Sequence, residues 1–309
     1  GPGGGATGAL TLTVNNPLPT TSSLSLASAI VGGPAFTLAI TGTNFVSGAT
    51  VNFGGTVHTA DVVLIDSTHL SANIAASEIA TTGPISVTVT NPAPGGGTST
   101  PALTFNVNYP VPTLSALAPT SITAGGIDFT LTVNGTAFVV GTVVQFNGIA
   151  RATTFVSGTQ VTATILATDI VIAGNFPITA FNPAPGGGTS NVINLTVNPS
   201  ITNISPATVR AGGLGFTLTV NGAGFVAGST VHFNGLARST TFISSTQLSA
   251  SINALDITTV GSYPITVLLP APTNLTSNIV NLTAIPSLGN LVPMTAVAGS
   301  GAFTLTVTA

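Results

Sequence analysis

One short block of this chain occurs four times. Phe36-Thr-Leu-Ala-Ile-Thr-Gly returns as Phe129-Thr-Leu-Thr-Val-Asn-Gly, as Phe216-Thr-Leu-Thr-Val-Asn-Gly and, shortened, as Phe303-Thr-Leu-Thr-Val. The copies stand 93, 87 and 87 residues apart. That period is the size of one small domain, so the chain reads first of all as a tandem array. Two further blocks recur in the same order. Val51-Asn-Phe-Gly-Gly matches Val144-Gln-Phe-Asn-Gly and Val231-His-Phe-Asn-Gly. Asn91-Pro-Ala-Pro-Gly-Gly-Gly matches Asn182-Pro-Ala-Pro-Gly-Gly-Gly and degrades to Leu269-Pro-Ala-Pro-Thr-Asn in the third copy.

Within a repeat the apolar residues alternate with period two. In the second repeat Phe129-Thr-Leu-Thr-Val is a half-buried strand whose odd-numbered positions face inward. Asn134 to Phe138 is expected to turn, with Phe138 folding back into the core. Asn147-Gly148 favours a two-residue type I′ hairpin. The remaining strands are expected from Leu114, over Val143–Phe146, Ala152–Val156, Gln160–Ile165 and Phe176–Phe181, and over Val192–Val197. Leu166 to Ile170 is the one short helical or 3₁₀ candidate. About seven short strands with turn residues between them make a β-sandwich. The expected fold is all-β, tandem immunoglobulin-like sandwiches arranged as a rod.

Proline-rich junctions at Asn15-Asn-Pro-Leu-Pro, Asn108-Tyr-Pro-Val-Pro, Asn198-Pro-Ser and Ile285-Pro-Ser mark the boundaries. They divide the chain into residues 1–16, the last strand of an incomplete repeat; three repeats at 17–108, 109–198 and 199–284; and residues 285–309, the first strands of a fourth. The chain reads as a window on a longer polypeptide, with strand donation between subunits as the alternative use of its ends. Short proline joints are stiff. At ~3.3 Å per residue, three sandwiches of about 40 Å would span roughly 120 Å.

Taken together, the Ala-Gly-Gly turn, Phe-Thr-Leu-Thr-Val-Asn-Gly, Phe-Asn-Gly and Asn-Pro-Ala-Pro-Gly-Gly-Gly resemble the bacterial IPT/TIG domains. The resemblance covers the whole chain. It implies an immunoglobulin-like module of long surface or secreted proteins, serving as spacer, adhesive or structural unit. Some relatives bind DNA or mediate receptor contacts, but this chain lacks the basic residues that DNA binding needs.

Charge narrows the function. Only 3% of residues are charged, with three Lys+Arg, six Asp+Glu and a net charge of -3. An average soluble protein carries about 25%. Such a surface has no basic face for nucleic acid or anionic lipid. There is no cysteine, hence no disulfide and no thiolate metal site. No apolar run approaches the ~18 residues of a membrane helix. A polar, lysine-free surface points to the extracellular side or the cell surface.

The few charges recur in register. His58, Arg151 and Arg238 each stand five residues after a repeated Phe, and Glu78, Asp169 and Asp256 occupy the matching later position. One base and one acid per repeat read either as a ligand clamp or inter-domain contact, or as a structural pair or pair of caps at the short turn. The structural reading is favoured; a surface pair alone is worth only ~0–1 kcal/mol, so it requires partial burial. The three His residues occupy no common repeat position, so a catalytic triad has no repeated support. His58, Asp61, Asp66 and His69 lie close in sequence, but the second repeat has neither His, which argues against metal. The Gly95 and Gly186 loops lack the Gly-Lys-Ser/Thr of a phosphate cradle and read as hairpin loops. Sequons stand at Asn134, Asn194, Asn203, Asn274 and Asn281. The chain is expected to be no enzyme and to take no cofactor and no metal. Its expected partners are copies of itself or neighbouring repeats, with a glycan as a further one. The expected role is a structural segment of a filament, stalk or surface layer; the alternatives are an adhesin stalk and the spacer of a secreted polysaccharide-active enzyme.

Overall fold

The computed structural model describes residues 8, 10–287, 291–292, 295, 297–299, 301–302 and 304–307. In the first repeat ten strands form: β1 (Thr20–Leu24), β2 (Ser28–Ile30), β3 (Phe36–Thr43), β4 (Thr50–Phe53), β5 (Thr56–His58), β6 (Val62–Asp66), β7 (His69–Ile74), β8 (Gly83–Asn91), β9 (Gly97–Thr98) and β10 (Leu103–Asn108). One sheet has the order β1-β3-β7-β6, and the other β2-β10-β8-β4-β5 with β9 on β8. β2 runs parallel to β10. A 3₁₀ turn, Ala76–Ile79, carries the chain from the first sheet to the second.

The alternation explains the layering. Leu38 and Ile40 on β3, with Leu70, Ala72 and Ile74 on β7, face Val51, Phe53, Val87, Val89, Phe105 and Val107 of the opposite sheet, and all are buried. Ala39, Asn52, Ser71, Asn73, Thr88 and Asn106 occupy the positions between. Phe105 joins Phe36, stacked at 5.5 Å, to Phe53, edge-on at 5.3 Å. Aromatic pairs at such distances add roughly 0.5–1.5 kcal/mol beyond the area they bury.

The same two sheets recur twice. In the second repeat Thr113–Ala118, Phe129–Thr136, Gln160–Ile165 and Thr153–Ser157 lie side by side, opposite a sheet whose path is Ser121–Thr123, Ile193–Asn198, Gly174–Asn182, Val143–Phe146 and Ile149–Ala150. In the third they are Ser200–Ser205, Phe216–Ala223, Gln247–Ile252 and Thr240–Ser244, opposite Thr208–Arg210, Val280–Ile285, Gly261–Leu268, Thr230–Phe233 and Leu236–Ala237. The architecture is the expected one, all-β tandem immunoglobulin-like sandwiches. The hairpin at Asn147-Gly148 forms with both φ angles positive, 49° and 79°. The 3₁₀ candidate forms at Ala167–Ile170.

Three readings need correction or completion. Asn134 and Gly135 do not turn; the strand runs on to Thr136, and Phe138 enters the core after it. Gly135 is required by a close approach. A Cβ there would overlap the Thr113 carbonyl oxygen and stand 2.7 Å from the Phe138 ring, and Gly42 and Gly222 are confined in the same way. The short parallel strand at Ser121–Thr123 had no signal of its own in the alternation. In the opening segment Leu10 to Asn15 form no strand, and Asn16 bridges Gly95. At the other end Leu291–Val292 pairs with Thr306–Val307, while Phe303 lies outside the described residues. No helix among the described residues is long and apolar enough to cross a membrane.

Replacing Gly135 by Ala should destabilise the second sandwich by roughly 2–3 kcal/mol through overpacking. Gly148→Ala meets nothing within 4 Å and should cost only about 1 kcal/mol, for its left-handed backbone. Urea unfolding of both variants beside the parent measures the difference; equal losses would contradict the close-approach explanation.

Candidate functional site

The recurring charges come together in every sandwich. β5 pairs with β4 so that His58 stands opposite Val51. At the equivalent place the Arg151 and Arg238 N–H groups donate to the Val144 and Val231 carbonyls, at 2.9 and 2.8 Å. The base therefore sits at the edge hairpin of the second sheet. Its acid sits on the 3₁₀ turn by which the chain crosses between sheets. Arg238 Nε and Nη2 donate to the two Asp256 oxygens at 3.1 and 2.7 Å. Arg151 Nε donates to Asp169 Oδ2 at 2.7 Å, and its Nη2 donates to Oδ1. In the first sandwich His58 Nε2 lies 3.0 Å from Glu78 Oε1.

Each acid also caps its own turn. Glu78 accepts from the Ala75 N–H at 2.8 Å, Asp169 from Leu166 at 3.0 Å and Asp256 from Asn253 at 3.0 Å. The pair and the cap are thus one device, tying an edge hairpin to a crossover. It is largely shielded from water: the Arg151 and Asp169 side chains are 12% and 9% exposed. The guanidinium groups lie over Phe146 and Phe233, 5.8 and 5.5 Å from the ring centroids, a position that adds cation–π attraction. Burial pushes the Asp169 carboxyl up, but the Arg151 bonds and the Leu166 N–H outweigh it and hold the group below its ordinary value.

The four ionisable groups that are near in sequence separate into two sets. His58 Nδ1 lies 2.8 Å from Asp61. Asp66 caps an exposed turn instead, accepting from the Thr68 N–H at 2.7 Å and hydroxyl at 2.6 Å, with His69 at 3.1 Å. These bonds, those of Thr68 first, hold its carboxyl at about 2. Ser157 and Ser244 accept from the Thr159 and Thr246 N–H groups in the matching turns.

The Gly-rich loops do more than close hairpins: each clasps the chain entering its own sandwich. Asn16 N donates to the Pro94 carbonyl at 2.8 Å, and Gly96 N donates back to Asn16 at 2.7 Å. Tyr109 repeats the exchange with Pro185 and Gly187, at 2.8 and 2.9 Å. A Cβ on Gly186 would lie 2.5 Å from Asn108 Cβ. The Asn that opens each loop extends the clasp, with Asn91 Nδ2 donating to Pro17 at 2.9 Å and Asn182 Nδ2 to Pro110 at 2.8 Å. These Asn roles were missed in the sequence, although their recurrence at the head of a repeated block was the signal. Asn191 and Asn278, which accept from the Leu114 and Ile201 N–H groups, carried no such signal.

The third sandwich enters differently. Pro199 alone separates Ile193–Asn198 from Ser200–Ser205. Leu269, which replaces the Asn, is 1% exposed and belongs to the core cluster of the second sandwich, with Ala223, Val226 and Leu275 packed against it. Gly224 lies where a Cβ would meet Ala124 at 2.7 Å and Ala173 at 2.9 Å.

With this geometry in place, comparison with known proteins is decisive for the family. The model of the IPT/TIG domain matches residues 19–107, 112–197 and 199–284. The chain belongs to the IPT/TIG domain family. No curated protein sequence matched it. Among solved structures this IPT/TIG chain is similar to a tandem of titin domains, at 10% identity and a TM-score of 0.33, covering 87% of this chain and 100% of the other. It is also similar to an adhesin of Yersinia pseudotuberculosis, at 17% identity and TM-score 0.35, covering 58% of each chain. A bacterial ice-binding adhesin of 1.5 MDa matches at 15% identity and TM-score 0.23, covering 86% of this chain and 97% of that one. These are distant likenesses and carry no argument about what this IPT/TIG chain does.

Two measurements test the clamp and the clasp. Arg151→Met strands a mostly buried carboxylate and should cost the second sandwich about 2–3 kcal/mol near neutral pH. Because Asp169 is held below its ordinary value, its contribution is present above that value and disappears as pH falls through the lowered one. The parent and the variant should therefore converge in acid, and a constant gap in urea midpoints from neutral pH into acid would refute the pairing. In the clasp, Thr142 Oγ1 donates to Asn182 Oδ1 at 2.6 Å, whereas the equivalent residue of the first sandwich is Ala49 and Asn91 Oδ1 is buried with no hydrogen-bond partner among the described residues. Ala49→Thr should supply the missing donor and stabilise the first sandwich by about 1 kcal/mol. Calorimetry showing no gain would count against it.

Proposed function

We propose that this IPT/TIG chain is a structural segment of a longer extracellular repetitive protein, whose sandwiches pack sideways into a filament, stalk or surface layer and carry no catalytic centre. The observation that supports it is where the scarce charges are used. Of three Arg and six acidic residues, two Arg and three acids are taken up in the clamps that close the crossovers. Charge is invested in holding each copy together.

The sandwich edges support the lateral part of the proposal. β6 and its equivalents Thr153–Ser157 and Thr240–Ser244 are edge strands. Their bulge residues Ile65, Val156 and Ile243 are 64%, 53% and 55% exposed. Soluble β proteins commonly guard such edges with Lys, and this chain has none. The same apolar edge on every copy is self-complementary and suits a homopolymer.

Electron microscopy and sedimentation of the purified chain test the proposal. Ordered lateral assemblies that grow with concentration are expected, and Ile65→Lys, Val156→Lys and Ile243→Lys together should disperse them. A parent that stays monomeric at every accessible concentration overturns the lateral packing. If those monomers also capture glycans, an adhesin stalk becomes the better reading.

A further inference from the structure

We infer that the first sandwich carries a proton-operated version of the clamp, closed while His58 is an imidazolium and slackened once it is neutral. The position is the one that Arg occupies in the other two sandwiches, so the comparison is internal to the chain. An arginine guanidinium in general keeps its charge across the pH range in which proteins stay folded. His58 does not.

Both imidazole nitrogens face carboxylate oxygens. Nδ1 lies 2.8 Å from Asp61 Oδ2 and Nε2 lies 3.0 Å from Glu78 Oε1. An imidazolium has two N–H groups and donates to both acids. A neutral ring has one, so one nitrogen lone pair must confront a carboxylate lone pair at hydrogen-bond distance. Burial prevents water from relieving the conflict in place, because His58 is 6% exposed and Glu78 12%. Asp61 is 37% exposed and can be hydrated, while Glu78 is anchored to the Ala75 N–H. The contact that yields is therefore the one to Asp61, on the connection between β5 and β6.

The charged groups bonded to His58 among the described residues are Asp61 from its own connection and Glu78 from the crossover turn. β4 presents Val51 opposite it, and Asp66 and His69 are engaged with each other on an exposed turn. Burial pulls the imidazole down, but the two carboxylates outweigh it and the group is raised above its ordinary 6.5. The sign follows: the contribution is complete below the unfolded value and is lost as pH rises through the raised folded one. The second and third sandwiches have no such transition at their clamps.

Hydrogen exchange of the full chain at about pH 6 and about pH 9, corrected for the intrinsic rate, reads this directly. Protection over residues 56–80 should fall roughly tenfold at the higher pH, while residues 149–171 and 236–258 hold theirs. His58→Arg, which copies the other sandwiches, should abolish the fall, and His69→Gln should leave it unchanged. Equal protection at both pH values, or the same fall in His58→Arg, overturns the inference. Should His58→Arg fold poorly, the imidazole resonances of the parent decide. A His58 that titrates at or below its ordinary value also overturns it.

Discussion

Two sheets closed over an apolar layer oblige the chain to cross from one to the other several times in each sandwich. The backbone there leaves the ladder, so its N–H and C=O groups need other partners. In all three sandwiches one of these crossings, the one after β7 or its equivalent, is a single 3₁₀ turn capped by its own acid and tied by a base to the edge hairpin of the far sheet. The turn residues Ile79, Ile170 and Ile257 are buried beneath it. Crossover, cap, ion pair and core residue are therefore mutually dependent.

The scarcity of charge gives this pair its weight. An exposed ion pair contributes little, and a buried one competes with the cost of leaving water. The guanidinium donates twice to one carboxylate and lies over a core phenylalanine, while the carboxylate keeps a backbone N–H. Both carboxylate oxygens and the guanidinium N–H groups that face them are used, which is the condition for burying charge. Histidine meets that condition only when doubly protonated. One copy of the device is thus chemically different from the other two although it occupies the same frame.

The joins show two solutions to one problem. The chain entering the first and second sandwiches is held by backbone hydrogen bonds to a Gly-rich loop, with a buried Asn reaching the following proline carbonyl. At the third, the linker shrinks to Pro199, the loop loses its glycines, and Leu269 with Gly224 and Ala124 makes an apolar contact. The change from Asn to Leu and the loss of Gly-Gly-Gly are one substitution in physical terms: hydrogen bonds that needed bare backbone give way to side-chain packing.

The sequence by itself determined the sandwich. Alternation in Phe129-Thr-Leu-Thr-Val, the Asn-Gly hairpin and the repeat period are local or periodic signals, and local geometry follows from them. It also marked His58, Arg151, Arg238, Glu78, Asp169 and Asp256 as a recurring set, because scarce residues in register stand out. Tertiary structure decided which of them meet. The sequence separation of 18 or 20 between base and acid is bridged only when two sheets face each other, and no period in the chain encodes that distance. The same limit explains Gly135, which reads as a turn along the chain but serves an approach by Thr113 from another strand. It explains the Gly-rich loops as well, whose partner is the entering linker. What depends on neighbours along the chain was legible; what depends on neighbours across the sandwich required the fold.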